Sequence, residues 1–365
     1  MDRFFHASRG LITFGMMLLA AGCPEPLDAT TSAPGMTVKD QSFRTPKKAI
    51  KKKPAPSNKK EPNKLAKHFP CRQKKCDESY RTFSVRHQAH SKQIGRSAVL
   101  SWFKKHKKKE APASLAMDAA TLKNEIANAM NIQFLLDDIA TKREVTSVYR
   151  RVEKDHHAEI LQIVDPHVGR FDVLILTPKI NANGHGILAL HGHGDTPLKM
   201  AQNYLGYDLV RSGFVVVIPR LRVFDCYRKD TSENDVAIEL WANGFSLMGL
   251  HIYEALLTQY EVNQRPKYNI DRWGILGHSG GSSTTVTLSR LGATFDAIVV
   301  DHQVDFNNAC GRKGIHCETF GPLFKLAKTI NNLETLPVDH LLVPYKYGKQ
   351  KKDIVPFFLN TLKNK

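Results

Sequence analysis

The pentapeptide Gly-His-Ser-Gly-Gly at 277–281 constrains the fold of this chain more than any other feature. It follows a short apolar run, Trp-Gly-Ile-Leu at 273–276, and precedes a stretch that can be helical. A serine at a sharp turn between a strand and a helix is lifted clear of the sheet. Glycines two positions to either side let the backbone turn without a Cβ clash. The pattern predicts a strand, a tight turn and a helix, with Ser279 as a candidate nucleophile.

A second glycine-rich segment lies upstream of the pentapeptide. The run Gly-Ile-Leu-Ala-Leu at 186–190 has the pattern of a fully buried strand, and it leads directly into His-Gly-His-Gly-Asp at 191–195. Together the two segments resemble the α/β-hydrolase superfamily, and within it the bacterial acetyl-ester and dienelactone-hydrolase-like branches. The resemblance implies that the N–H groups of His193 and Gly280 form an oxyanion hole beside Ser279, and that no cofactor or metal is needed.

The chain around these motifs alternates helical and extended patterns, as an open and mainly parallel sheet requires. Residues 145–177 alternate as antiparallel strands would, with Gly169 in the turn region. We therefore expect an α/β fold, an α/β-hydrolase-type doubly wound, mostly parallel sheet with antiparallel N-terminal strands. Helical patterns cover residues 118–139, 197–212 and 234–262, and further strand patterns cover residues 214–219 and 296–300.

The histidine of a catalytic triad is less clearly marked than the serine. In α/β-hydrolases the acid and then the histidine follow the serine along the chain. No histidine follows His340, which stands near the start of its strand, at the end of the sheet opposite the catalytic face. The base is therefore expected in the loop after the 296–300 strand. His316 is our preferred base, and His302 is the alternative.

Several carboxylates are candidates for the triad acid. Asp301, which is our first choice, and Asp305 lie at the carboxyl end of the 296–300 strand. This is a known variant position for the acid in the superfamily. Asp353 resembles the ordinary acid loop, although the chain then ends before the usual histidine strand.

A disulfide between Cys310 and Cys317, which are close enough in sequence to close a small loop, would hold the neighbouring His316 in place.

A zinc enzyme is the main alternative interpretation of the same residues. The histidines and aspartates of the two glycine-rich segments and of positions 301–302 resemble the ligand signature of the metallo-β-lactamase superfamily, in which imidazoles and a carboxylate hold a zinc-bound hydroxide. Thr196 stands where that signature needs a histidine, and the helical pattern between the two motifs is typical of a doubly wound sheet. We therefore favour the serine hydrolase. The residues of the alternative series are His191, His193, Asp195, His278, Asp301 and His302.

The amino terminus has the pattern of a bacterial lipoprotein signal. Two arginines precede an apolar stretch at 11–21, which is too short to span a bilayer, and small residues then lead to Cys23. Residues 1–23 are expected to be a signal peptide, with Cys23 as the lipidated residue. This pattern predicts a bacterial cell-envelope protein, anchored to a membrane by lipid and facing the periplasm or the cell surface.

The excess positive charge of the chain is confined to one segment. Residues 39–109 contain 23 Lys and Arg against 4 Asp and Glu, whereas the net charge of the whole chain is +18. This composition predicts a disordered basic linker over 24–112, followed by the hydrolase domain at 113–365. Anionic envelope surfaces would attract such a linker, whereas nucleic acid is not expected as a partner, because interleaved aromatic residues are absent.

These observations predict a lipid-anchored serine hydrolase that cleaves carboxylic esters. The substrate is expected to be a small-molecule or polysaccharide-linked ester, and the loop at 220–228, which includes Phe224 and several arginines, is expected to line the pocket. If no base reaches Ser279, the chain is instead an inactive binding protein of the envelope that retains the hydrolase fold.

Overall fold

A computed structural model describes residues 65, 68, 69, 93–106, 113, 115–224, 233–301, 321–336, 338–343 and 351–363. All of them belong to one compact unit, Lys60–Lys365. Several predicted features lie outside the described residues, namely the signal peptide with Cys23, most of the basic linker, the 225–228 part of the pocket loop, and His302, Asp305, Cys310, His316 and Cys317.

The described strands form one eight-stranded sheet in the order β1-β2-β3-β5-β4-β6-β7-β8. Strands β1 to β3 are antiparallel to one another, and β3 is antiparallel to β5, whereas the remaining neighbours are parallel. The predicted α/β-hydrolase-type sheet is therefore confirmed. The strands are β1 (Glu144–Val152), β2 (His156–Asp165), β3 (Gly169–Pro178), β4 (His185–Leu190), β5 (Val215–Pro219), β6 (Arg272–His278), β7 (Ala297–Asp301) and β8 (His340–Val343).

Helices cover both faces of the sheet, as a doubly wound fold requires. Each face carries its own apolar core. One core includes side chains from α2, α7, α8 and α9, and the other includes side chains from α4, α5 and α10. The described helices are α1 (Arg96–His106), α2 (Ala119–Met130), α3 (Gln133–Asp137), α4 (Pro197–Asn203), α5 (Gly206–Arg211), α6 (Glu233–Ala242), α7 (Leu247–Asn263), α8 (Gly280–Arg290), α9 (Leu323–Ile330) and α10 (Lys351–Lys363).

The order of the strands fixes where a ligand can bind. The chain passes from β4 to β5 on one side and then returns to β6 on the other side of β4. The loops after β4 and β6 therefore leave in opposite directions, and a crevice opens between them at the carboxyl ends of the strands. Both sequence motifs lie at this crevice, because Leu190 pairs with Gly277 at the ends of β4 and β6.

Three helical stretches that the sequence predicts as continuous are each divided in two. The breaks follow residues with left-handed backbone, Asn131 (φ 52°) between α2 and α3, Leu205 (φ 70°) between α4 and α5, and Gly244 (φ 84°) between α6 and α7. A residue in that conformation cannot continue a right-handed helix. After the last break, the Ser246 hydroxyl accepts a hydrogen bond from the Gly249 N–H and caps α7.

Part of the segment predicted to be a disordered linker is folded. Helix α1 lies within 24–112, and its Val99 is fully buried. Trp102 on the same helix packs edge-on against Trp241 at a centroid distance of 4.9 Å. Leu65 and Phe69 are also buried, in the core on the other face of the sheet. The sequence prediction was wrong here because the average composition of the segment hides these locally spaced apolar residues.

None of the helices among the described residues combines the length and the apolar composition that a bilayer crossing requires.

Candidate active site

Ser279 occupies a strained turn between β6 and α8. Its backbone lies at φ 52° and ψ −117°, which a non-glycine residue adopts only when the surrounding structure enforces it. The Ser279 N–H donates to the Asp301 carbonyl at the end of β7, and the Ser279 carbonyl accepts from Ser282 in the first turn of α8. The serine is partly exposed, whereas both of its neighbours are buried. The predicted strand, turn and helix are all present.

The two outer glycines of the pentapeptide are required by close backbone contacts. A Cβ atom on Gly277 would lie 2.5 Å from the Gly281 carbonyl oxygen, and one on Gly281 would lie 2.1 Å from the Leu190 carbonyl oxygen. Backbone atoms cannot move aside as a flexible side chain can. The spacing of glycines around Ser279 therefore reflects the close packing of α8 against the ends of β4 and β6.

The loop after β4 lies directly against the serine. A Cβ on Gly192 would lie 2.6 Å from the Ser279 Cβ, and one on Gly280 would lie 2.5 Å from the His193 Cε1. The two residues predicted to form the oxyanion hole, His193 and Gly280, are therefore adjacent. Gly280 is the first residue of α8, so its N–H has no acceptor within the helix and lies at the positive end of the helix dipole.

Hydrogen bonds and ring contacts hold this loop in place. The Nε2 of buried His191 accepts from the Leu221 N–H at 3.1 Å, and the Gly194 N–H donates to the Phe224 carbonyl at 2.6 Å. The Phe224 ring lies 4.3 Å from the His193 ring between centroids. The fully buried Phe224 therefore packs against the side chain of His193, and the expectation that its loop lines the pocket stays a prediction.

A buried ion pair lies beneath the loop that carries Phe224. Arg222 is paired with Glu254 of α7, and the Arg222 carbonyl accepts a hydrogen bond from His251. Burial raises the pKa of the Glu254 carboxyl above its usual value, although the Arg222 guanidinium acts in the opposite direction. Because Arg222 is buried against Glu254, it anchors the loop.

A second polar cluster lies on the buried side of the turn. His278 Nδ1 donates to Asp301 Oδ2 at 2.9 Å, and its Nε2 lies 4.0 Å from Asp195 Oδ2. Its ring stacks on Tyr204 at a centroid distance of 3.7 Å. Sequence reasoning missed the role of His278, which occupies the variable position of the pentapeptide. No signal in the sequence gave this role, because it depends on the register of β6 and β7, which places His278 opposite Asp301.

Some of the candidate triad residues are among the described residues, and others are not. Asp301 ends β7 and is buried, with its carboxylate turned to His278. Asp353 is exposed in the first turn of α10. His340 begins β8 and pairs with Ile298, which confirms that it lies away from the carboxyl ends of the strands. His302, His316 and Asp305 lie outside the described residues, so their assignments stay predictions.

Two histidines of the alternative zinc series are engaged by other groups of the protein. His191 uses Nε2 to accept from Leu221 and Nδ1 in a 3.2 Å contact with the Gly192 carbonyl, and His278 is bound to Asp301. Within the described part of the chain, no group of three or more His, Cys, Asp or Glu side chains is arranged to hold a metal ion. The observed geometry therefore does not favour the zinc interpretation.

Comparisons with known proteins return only distant structural similarity. No protein-family model and no curated protein sequence matches the chain. Methylesterase BT1017 is 16% identical, with a TM-score of 0.46, over 67% of this chain and 63% of its own, so this chain spans less than two thirds of that protein. An acetyl xylan esterase from Thermoanaerobacterium sp. is 13% identical (TM-score 0.47, 71% and 98% covered). An acetyl xylan esterase from Paenibacillus sp. R4 is 9% identical (TM-score 0.49, 70% and 99% covered). The fold assignment rests on the sheet order and the turn at Ser279.

Proposed function

We propose that this chain is a carboxylic-ester hydrolase with Ser279 as its nucleophile. The observation that carries the proposal is the strained backbone of Ser279 (φ 52°), which presents the hydroxyl between the loop after β4 and the start of α8. Strain of this kind costs free energy and persists where the surrounding structure enforces it, commonly at catalytic positions.

The proposed reaction is acyl transfer through a covalent intermediate. The base removes the Ser279 proton, the serine oxygen bonds to the ester carbonyl carbon, and the negative charge that develops on the carbonyl oxygen is stabilised by the N–H groups of His193 and Gly280. Collapse of this intermediate expels the alcohol, which takes its proton from the base. A water molecule then hydrolyses the acyl-enzyme by the same sequence of steps and regenerates the serine.

The base and the acid are proposed to come from the loops that follow β7 and β8. His316 is the preferred base and His302 the alternative. Because both lie outside the described residues, their hydrogen bond to Ser279 is part of the proposal. Ser279 lies beside the loop after β4, and the ester of a small molecule or of a polysaccharide would bind in the crevice between the loops after β4 and β6.

Attachment to the cell envelope is proposed on the sequence alone. Lipidated Cys23 would hold the chain at a membrane, and the basic residues of 39–109 would add attraction to anionic lipid head groups or wall polymers. The folded domain begins before residue 113, since α1 packs on it, so the free tether is shorter than the sequence suggests.

An active-site label tests the assignment of the nucleophile. A fluorophosphonate probe should label the wild-type protein and should not label Ser279→Ala, because the probe bonds to an activated serine. Ser283→Ala is the matched control, since Ser283 lies in the same helix with a fully buried side chain, and it should label like the wild type. A chelator should leave labelling and ester hydrolysis unchanged. An unlabelled wild-type protein would contradict the proposal and favour an inactive binding protein, and zinc-dependent hydrolysis would favour the alternative enzyme.

A further inference from the structure

The imidazole of His278 lies directly behind the nucleophile. His278 is 3% exposed, although the adjacent Ser279 is partly exposed to the crevice. The ring is stacked on Tyr204 with an interplanar angle of 25°. A buried histidine needs partners for its polar atoms, because an unsatisfied polar group in the interior costs free energy. The neighbours of the ring, Asp301, Tyr204 and Asp195, belong to three separate segments of the chain.

The first partner is the end of β7. Because an ionised carboxylate only accepts hydrogen bonds, the 2.9 Å contact from His278 Nδ1 to Asp301 Oδ2 places the ring proton on Nδ1. Asp301 also holds the turn through its backbone, since its carbonyl accepts from the Ser279 N–H at 2.9 Å and from the Ser282 hydroxyl at 2.7 Å. Asp301 therefore contacts the turn on both sides of the serine and at the serine itself.

The second neighbour of the ring is the oxyanion loop. The other ring nitrogen, Nε2, lies 4.0 Å from Asp195 Oδ2, which is beyond the distance of a direct hydrogen bond. Asp195 is linked through Oδ1 to Lys199, whose Nζ also donates to the Gly194 carbonyl at 2.9 Å. The Asp195 carboxylate thus lies beside the residue before the nucleophile, and Lys199 ties it to the residues that follow His193. These are the segments whose relative position determines whether both amides can reach one oxyanion.

We infer that His278 and Asp301 are a positioning pair that holds the nucleophile turn against the end of β7, beside the oxyanion loop, and that Asp301 is therefore not the triad acid. The inference rests on the proposed serine chemistry. A triad acid must face a base that reaches the Ser279 hydroxyl, whereas the Asp301 carboxylate faces a ring that is buried and stacked behind the turn. The triad acid is then Asp305 or Asp353.

Conservative substitutions distinguish positioning from a role as the acid. Asp301→Asn keeps a carbonyl oxygen that can accept from His278, and His278→Asn keeps an amide donor near the position of Nδ1. We expect each to retain fluorophosphonate labelling and ester hydrolysis within about 10-fold of the wild type. Asp301→Ala and His278→Ala should each lose about 100-fold, mainly in kcat, because a small misplacement of the reacting groups costs about that factor. The pH at which activity is half-maximal should not move in Asp301→Asn.

The opposite pattern would overturn the inference. If Asp301 is the acid, Asp301→Asn should lose about 10⁴-fold, as expected when the base adopts the wrong tautomer, while His278→Asn stays near the wild type. Wild-type rates in both alanine variants would also contradict it. Thermal unfolding of each variant separates loss of the fold from loss of positioning.

A spectroscopic measurement keeps this test separate from that of the proposed function. The Nδ1 proton of His278 should give a downfield imidazole N–H resonance in the wild type that disappears in His278→Asn and is altered in Asp301→Ala. A wild-type protein that lacks labelling but shows this resonance refutes the hydrolase and leaves the pair in place. Absence of the resonance from an actively labelled wild type refutes the pair.

Discussion

At the scale of single residues, the spacing of the glycines around the nucleophile follows from backbone contacts. Gly281 is packed so closely on the carbonyl group of Leu190 that any side chain must displace either β4 or α8. A Cβ atom on Gly192 would likewise overlap Ser279 itself, at 2.6 Å from its Cβ. The site is therefore built from the absence of side chains at specified positions, which is why the motif is readable in the sequence.

We expect Gly281→Ala to destabilise the fold by about 3 kcal/mol and to abolish labelling of Ser279, because its Cβ would overlap a backbone oxygen. The matched control is Gly169→Ala. A Cβ atom on Gly169 would meet no other atom within 4 Å. Only the positive φ of 75° at this position opposes an alanine, at a cost of about 1 kcal/mol. Urea unfolding measures both changes. Equal losses in the two variants would show that close packing at Gly281 is not the cause.

At the scale of elements, the most consequential finding is that α1 belongs to the folded domain. Its apolar side chains Val99, Trp102 and Phe103 are spaced three and four residues apart and so share one face. That face meets Trp241 of α6 and Phe324 of α9, while Arg96 pairs with Glu239 of α6 at 3.1 Å. The carboxyl-terminal part of the basic segment thus packs on the domain through an aromatic cluster.

Trp102→Ala should lower the free energy of unfolding of the domain by about 2 kcal/mol, because it removes a partly buried aromatic side chain. Leu100→Ala, on the exposed face of the same helix, should change it by less than about 0.5 kcal/mol. Chemical denaturation of the full chain provides the measurement. If α1 were part of a disordered linker, the two variants would be indistinguishable from each other and from the wild type.

At the scale of the whole molecule, one carboxylate links the edge of the sheet to the segment after α7. Glu159 on β2 is paired with Arg150 on β1 and with Lys267, and it accepts from the Tyr268 hydroxyl. Burial alone would raise the pKa of Glu159, but hydrogen bonds from Lys267, Ser147 and Tyr268 outweigh it and lower the pKa from 4.5 to about 2.

This lowered pKa predicts a loss of stability in acid. As the pH falls below 4.5, the unfolded chain binds a proton at Glu159 before the folded chain does, so the stabilisation by ionised Glu159 is present above pH 4.5 and is lost as the pH falls towards about 2. Glu159→Gln should flatten the dependence of unfolding free energy on pH in this range, whereas exposed Glu144→Gln should not. An unchanged slope in Glu159→Gln would contradict the prediction.

The sequence by itself determined the features that depend on neighbours along the chain. The alternation of apolar runs and the glycine spacing around Ser279 were sufficient to predict the sheet and the turn, whereas the adjacency of His193 and Gly280 was implied by the resemblance to α/β-hydrolases. These are local patterns, since each depends on residues within one strand–turn–helix unit, and the order of such units restricts the topology.

The tertiary structure decided everything that depends on residues far apart in the chain. The register of β6 and β7 brings His278 opposite Asp301. The carboxylate that the sequence suggested as the catalytic acid therefore binds His278 and not the predicted base. Packing between α1 and Trp241 converts part of a basic segment into a domain element. Such contacts depend on the complementarity of distant surfaces and on strand register, which neither composition nor periodicity specifies, because the same local pattern is compatible with many partners.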